Sequence, residues 1–320
     1  MHEQLLSLDP IRINFSAGGM HIVNIILAFV MFGVALGIRP AMFKEVLVKP
    51  KSFITGLFSQ LVALPALTFL IVILFGKWIT PMVAMGMILV ASCPGGNISN
   101  FMTAFSKGNT ELSISLTAVT TTSATITTPF NFAFWGGLYV GFVNKHAGDA
   151  LMVLKIDFYQ MFETVFILLG IPLILGMLLA HFLPKVAERM KKPMQYFSII
   201  FFLAMVAISF GNNFNLFIKY IQFIFFIVLI HNLCALCTGY GLSALMKLPF
   251  ADRKTLTIET GIQNSGLGLV LLFNPKIFPP DLQNGGMLFV TAWWAIWHII
   301  SGLATVQIFL WRSRQKERSL

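Results

Sequence analysis

Apolar runs of roughly twenty residues or more recur nine times along this chain, at about 18–38, 51–75, 81–106, 111–142, 158–183, 194–211, 215–246, 254–274 and 284–312. A helix needs about 20 mostly apolar residues, at 1.5 Å rise each, to cross the hydrocarbon of a bilayer. The runs therefore predict an all-α polytopic membrane protein with nine transmembrane helices, one transporter-sized domain over 1–320. Charged residues are 11% of the chain, against about 25% in soluble domains, which excludes a soluble fold. Pro65, Pro129 and Pro172 fall inside spans, where neighbouring helices can satisfy the carbonyls they free.

The net charge of +10 sits in short loops between the runs, a topology signal that gives no reason to expect nucleic acid. Alternate loops and tails collect 16 Lys and Arg on one face, among them Lys185, Arg189, Lys191 and Lys192, and 6 on the other. The positive-inside rule assigns the richer face to the cytoplasm. The N-terminus is then outside and the C-terminus cytoplasmic, which requires an odd number of spans, in a cell inner membrane. The first residues lack a positive n-region and a small-residue cleavage site, so the first helix is expected to stay in the mature protein.

Two spans carry chemistry that helices avoid. Span three contains Cys93-Pro94-Gly95-Gly96-Asn97, where proline lacks an N–H and glycines favour non-helical backbone. Span eight contains the polar, Gly-interrupted stretch Glu259–Gly268. Lipid does not tolerate open backbone, so both breaks should be buried in protein or line a cavity. When spans one to four are set beside spans six to nine, the third member of each set is the broken one. This order predicts inverted repeats, 18–142 lacking its first helix and 158–312, with two discontinuous helices crossing near the midplane.

A carboxylate at membrane depth costs about 2.5–3.5 kcal/mol on insertion scales and so marks a functional site by default. Glu259 is that carboxylate, and no Lys or Arg falls in a span core to pair with it. Its neighbouring amides and the freed carbonyls are oxygen ligands of the kind sodium takes, while half-helices that begin after a break present N–H groups to an anion. Span four adds hydroxyls from Thr117 through Thr128, most of which are expected to bond back to the preceding turn.

The segments Cys93–Asn100, Glu111–Thr117, Glu259–Ser265 and Ser59-Gln60 with Leu64-Pro65, in this order, resemble the signatures of the bile acid:sodium symporter family, its bacterial nine-helix form in particular. The resemblance implies a core domain and a panel domain that move against each other, and two sodium ions. It places the first ion at Ser99, Asn100, Ser113, Thr117 and Glu259. It places the second at Gln60, Glu259, Gln263 and the carbonyls of Thr260 and Ile262. The residues that open the two half-helices, Asn97, Ile98, Asn264 and Ser265, are expected to face the substrate together with His298. Asn97 and Ile98 depart from the family's usual residues at that opening.

Other candidates have plainer readings. Glu163 reads as interfacial, Glu111 as a helix N-terminal charge, and His231 and Asn232 as hydrogen-bonded structure. Trp293, Trp294 and Trp297 read as packing or an interfacial belt, and Cys93, Cys234 and Cys237 as packing residues. No metal-spaced His/Asp/Glu cluster or nucleophilic triad appears, so the chain is not expected to be an enzyme. The function expected is sodium-coupled import of a small organic anion, a small carboxylate or a bile-acid-like one, by alternating access. A proton- or sodium-coupled exporter and an anion-binding sensor or channel are the alternatives. Lipid is the expected surroundings, and the sequence does not fix an oligomeric state beyond a monomer as the default.

Overall fold

The computed structural model describes residues 5–10, 17–38, 50–146, 158–211, 214–274, 276–279 and 282–318. The helices are α1 (Ala17–Ala35), α2 (Pro50–Phe58), α3 (Leu64–Leu74), α4 (Pro81–Ser92), α5 (Ile98–Phe105), α6 (Thr110–His146) and α7 (Phe158–Val165). They continue with α8 (Ile171–Phe182), α9 (Pro184–Gly211), α10 (Phe214–Leu245), α11 (Phe250–Gly261), α12 (Ser265–Leu272) and α13 (Gly285–Arg318). A π-turn at Ser59–Ala63 joins α2 to α3, and another at Phe166–Gly170 joins α7 to α8.

Among the described residues, four helices are long and apolar enough to cross a bilayer: Pro50–Leu74, Phe158–Phe182, Ile218–Leu245 and Gly285–Gln315. Two further expected spans, three and eight, are interrupted. α4 has 12 residues and α5 has 8, as do α11 and α12 respectively, because each pair is one run cut in two. The chain is thus a multi-pass helical membrane protein.

Boundaries differ from the sequence expectation in three places. The segment carrying Lys185, Arg189, Lys191 and Lys192 is helix, the opening of α9, with Pro193 inside it. α13 runs through the basic tail to Arg318. The break in span eight is confined to Ile262–Asn264, so that Glu259 lies in the last turn of α11 and Gly266 and Gly268 are helical.

The ends of the interrupted helices follow from their residues. α4 begins with Pro81 in its first turn behind Thr80, and stops at Cys93 because Pro94 cannot continue it. α12 begins at Asn264, whose Oδ1 accepts from Leu267 N at 3.1 Å. The extended residues between the halves pair with each other across the two breaks. Gly96 N donates to Ile262 O at 2.8 Å and Asn264 N to Pro94 O at 2.7 Å, forming one antiparallel bridge between Gly95 and Gln263. This pairing satisfies backbone groups that neither helix can satisfy alone.

The carbonyl that Pro65 leaves without its helical donor is that of Leu61, and Asn131 Nδ2 on α6 fills it at 3.0 Å. Packing separates the helices into two groups. α1, α8 and α9 pack on one another, while α2 to α6 and α10 to α13 form the larger group; α7 packs on α6 and continues into α8 through the π-turn. α10 and α11 meet backbone to backbone at Gly239, where an added Cβ would lie 2.3 Å from Leu256 O. Beyond Glu259, buried polar groups at one end are tied locally. Asp252 accepts from Ser52 Oγ at 2.6 Å and Asn109 Nδ2 at 2.8 Å, and Lys254 Nζ donates to Ser106 O at 2.8 Å.

The segment before α1 closes over the opposite end. Leu5 and Leu8 are buried, and Asp9 accepts from Thr80 Oγ1 at 2.9 Å. Burial raises the Asp9 carboxyl to about 6, against the opposing hydrogen bonds from Thr80 and the Met82 backbone. A carboxyl raised on folding contributes stability that is complete below its unfolded value near 4 and is lost as pH rises through 6. Asp9→Asn is therefore expected to leave stability unchanged at pH 4 and, at pH 8, to raise the unfolding free energy by an amount on the order of 2 kcal/mol, with a higher melting temperature. Thermal unfolding of both proteins in detergent at the two pH values checks this; an equal shift at both would show that burial of the charge is not the cause.

Candidate functional site

Glu259 is fully buried, and its partners are hydroxyls. Ser99 Oγ and Ser113 Oγ each lie 2.5 Å from its Oε1, and Thr117 Oγ1 lies 3.3 and 3.2 Å from its two oxygens. Asn100 Oδ1 joins the cluster, 2.8 Å from Ser113 Oγ and 3.3 Å from Thr117 Oγ1. The five residues expected at the first ion position are thus in one place, supplied by α5, α6 and α11. Three hydroxyl protons serve this crowd of oxygens, and no Lys, Arg or His among the described residues neutralises the carboxylate. A buried charge without a counter-charge costs several kcal/mol. A cation among these oxygens removes that cost, and their donor chemistry fits a hard one.

On the other side of the carboxylate the second expected set is present in looser form. The π-turn brings the Gln60 amide to face Glu259, yet neither Oε1 nor Nε2 completes a hydrogen bond of ordinary geometry. A widened turn inside a helix is a frequent feature of functional sites. Gln263 donates from Nε2 to Thr260 O at 2.9 Å, and its Oε1 is buried without a partner. Ile262 O carries the bridging bond from Gly96, and the Thr260 hydroxyl lies 2.8 Å from Ser59 Oγ. Buried amide oxygens left open beside a carboxylate are the kind of orphaned acceptor that a cation fits.

A cavity of about 610 Å³ opens between the two helix groups. Asn97 and Ile98 line it as expected, with Asn100 and Thr117 as walls shared with the Glu259 cluster, while Gly37 and Lys191 face them from α1's end and α9. Asn264, Ser265 and His298 lie outside its lining. Asn264 caps α12, Ser265 is buried with an unpartnered hydroxyl, and His298 is buried with Nδ1 unpartnered.

Several side readings resolve clearly. Thr120, Thr122, Ser123, Thr125 and Thr127 bond back to the preceding turn, and Thr117 alone of the α6 threonines turns to Glu259. His231 pairs with Thr68 Oγ1 at 2.8 Å and stands edge-on to Trp294, which is fully buried packing. Glu163 is exposed. Asn232, read as hydrogen-bonded structure, donates from Nδ2 to Gly261 O at 2.7 Å and steadies the end of α11. Two contributors were not singled out from sequence: Thr103 approaches Ser113, and Lys191 lines the cavity. Lys191 looks in the sequence like one of several loop lysines.

A multi-pass helical protein with a buried, oxygen-lined carboxylate where two interrupted helices pair defines a membrane transporter. The chain belongs to the Sodium Bile acid symporter family, whose model matches residues 24–220, and so it is a transporter rather than an enzyme. It is 30% identical over 302 residues to the uncharacterized sodium-dependent transporter YocS of Bacillus subtilis (strain 168), covering 92% of this chain and 84% of that one. It is 27% identical over 297 residues to the hepatic sodium/bile acid cotransporter of Rattus norvegicus, covering 90% and 76%. It is 28% identical over 250 residues to the chloroplastic probable sodium/metabolite cotransporter BASS1 of Oryza sativa subsp. japonica, covering 77% and 56%. The chain spans about half the length of several other relatives that it matches.

Proposed function

We propose that this protein is a sodium-coupled symporter that imports a small organic anion by alternating access. The observation that carries the reading is the fully buried Glu259 held by Ser99, Ser113 and Thr117 with no basic partner among the described residues. The relatives' names, a sodium-dependent transporter and sodium/metabolite and sodium/bile acid cotransporters, support the same coupling ion. Two sodium ions bind on either side of Glu259, one among Ser99, Asn100, Ser113 and Thr117, the other at Gln60, Gln263 and the carbonyls of Thr260 and Ile262. Nine spans cross the membrane as inverted repeats, with the N-terminus outside and the C-terminus cytoplasmic. The group of α1, α7, α8 and α9 is the panel, and the larger group is the core that carries the ions.

The mechanism follows from the shared walls. Sodium among the oxygens of α5, α6 and α11 removes the uncompensated charge and orders the two breaks. Asn100 and Thr117, which also line the cavity, are then fixed for the anion, so cation and anion each raise the other's affinity. Rocking of panel against core exposes the cavity to one side and then the other. The test is uptake of labelled organic anions into proteoliposomes under an inward sodium gradient. Accumulation that stops when choline replaces sodium is expected; accumulation that continues would rule out sodium symport.

A further inference from the structure

Among the described residues, Lys191 is the cation in the lining of the 610 Å³ cavity, half-buried on α9. α9 approaches α1 at two glycines one turn apart. An added Cβ at Gly33 would lie 2.8 Å from Met194 Cβ, and one at Gly37 would lie 3.7 Å from Lys191 Cε. These glycines leave room for the lysine stem to pass beside the end of α1 and to line the cavity. No hydrogen bond or ion pair holds it there among the described residues. Opposite stand the neutral amides of Asn97 and Asn100 and the hydroxyl of Thr117. Val34 and Ile38 on one side and Phe101 and Ile114 on the other make the remaining walls apolar.

Building on the transport reading above, we propose that Lys191 receives the anionic group of the cargo, whose apolar body lies along the remaining walls. The position also explains how cargo links the two helix groups. Lys191 belongs to the group of α1, α8 and α9, whereas Asn97, Asn100 and Thr117 belong to the group bearing Glu259. An anion held between them bridges both.

The test is thermal stability of the purified full-length protein in detergent with sodium, titrated with pyruvate, with cholate, and with the uncharged methyl ester of cholate. Wild type is expected to be stabilised by a monoanion and not by the ester. Lys191→Met is expected to weaken that binding roughly tenfold or more, and Lys191→Arg to hold it within about threefold, since both charge and reach are kept. The shift caused by sodium alone should be the same in all three proteins. A methionine variant that binds the monoanion as wild type does overturns the assignment, as does a wild type that responds to sodium but to neither monoanion. Loss of the sodium shift in wild type would instead count against the symport reading itself.

Discussion

Glu259→Gln is expected to abolish the sodium-dependent rise in melting temperature and to reduce sodium-driven uptake by at least about a hundredfold. Glutamine keeps the volume and the acceptor oxygen that Ser99 and Ser113 approach at 2.5 Å, so the packing of α5, α6 and α11 is preserved. What it removes is the charge. At an effective dielectric near 20, unit charges a few ångströms apart interact by about 5 kcal/mol, which is more than three orders of magnitude in affinity. In the proposed arrangement both ions share this carboxylate, and both are lost together.

The same substitution has an opposite effect without sodium. Wild type then carries a buried carboxylate with no basic partner among the described residues, and removing that charge relieves its desolvation. Glu259→Gln is therefore expected to melt at or above the wild-type temperature in choline buffer, while falling below it in sodium. The crossover separates an ion site from a structural hydrogen-bond hub, whose loss would destabilise in both buffers. Uptake by the variant that continues without sodium would instead indicate that neutralisation of Glu259 by a proton is what drives transport.

How far the site could be read from sequence depends on how local its causes are. Pro94, Gly95 and Gly96 announce their break through their own backbone chemistry, and the helix does end at Ser92 and resume at Ile98. Glu259 announces itself by the cost of its charge. The return bonds of Thr120, Thr122, Ser123, Thr125 and Thr127 follow from hydroxyls within one turn of a carbonyl. Other features have no local cause. The bridge between Gly95 and Gln263 joins single residues far apart in the chain and leaves no periodicity to detect. Lys191 shares its composition with Lys185, Arg189 and Lys192, and only the path of α9 past Gly33 and Gly37 distinguishes it. The break in span eight is narrower than its composition predicts for a related reason. Glycine lowers helix propensity, but Gly266 and Gly268 remain helical because α12 is capped by Asn264 and buried on nearly every side.

Gly95→Ala tests whether the bridge exists to shape the second ion position or merely to close two backbones. A methyl group there would lie 2.9 Å from Gln60 Oε1 and 3.1 Å from Glu259 Oε2, between the oxygens assigned to that ion. The bonds of the bridge come from Gly96 N and Asn264 N, and alanine removes neither. Ser99, Asn100, Ser113 and Thr117 approach the carboxylate from their own side, so the first position keeps its ligands. The protein should therefore fold, with an overpacking cost of about 1–3 kcal/mol. Its sodium dependence should change in kind: a cooperative titration of uptake in wild type becomes one with a Hill coefficient near one. The maximal rate should fall at least about a hundredfold, because one ion only neutralises the carboxylate and the second cation, whose charge offsets the anionic cargo, is missing. A purely architectural glycine would give the reverse pattern, with lower stability and an unaltered Hill coefficient, and the space beside Gln60 would then not be an ion site.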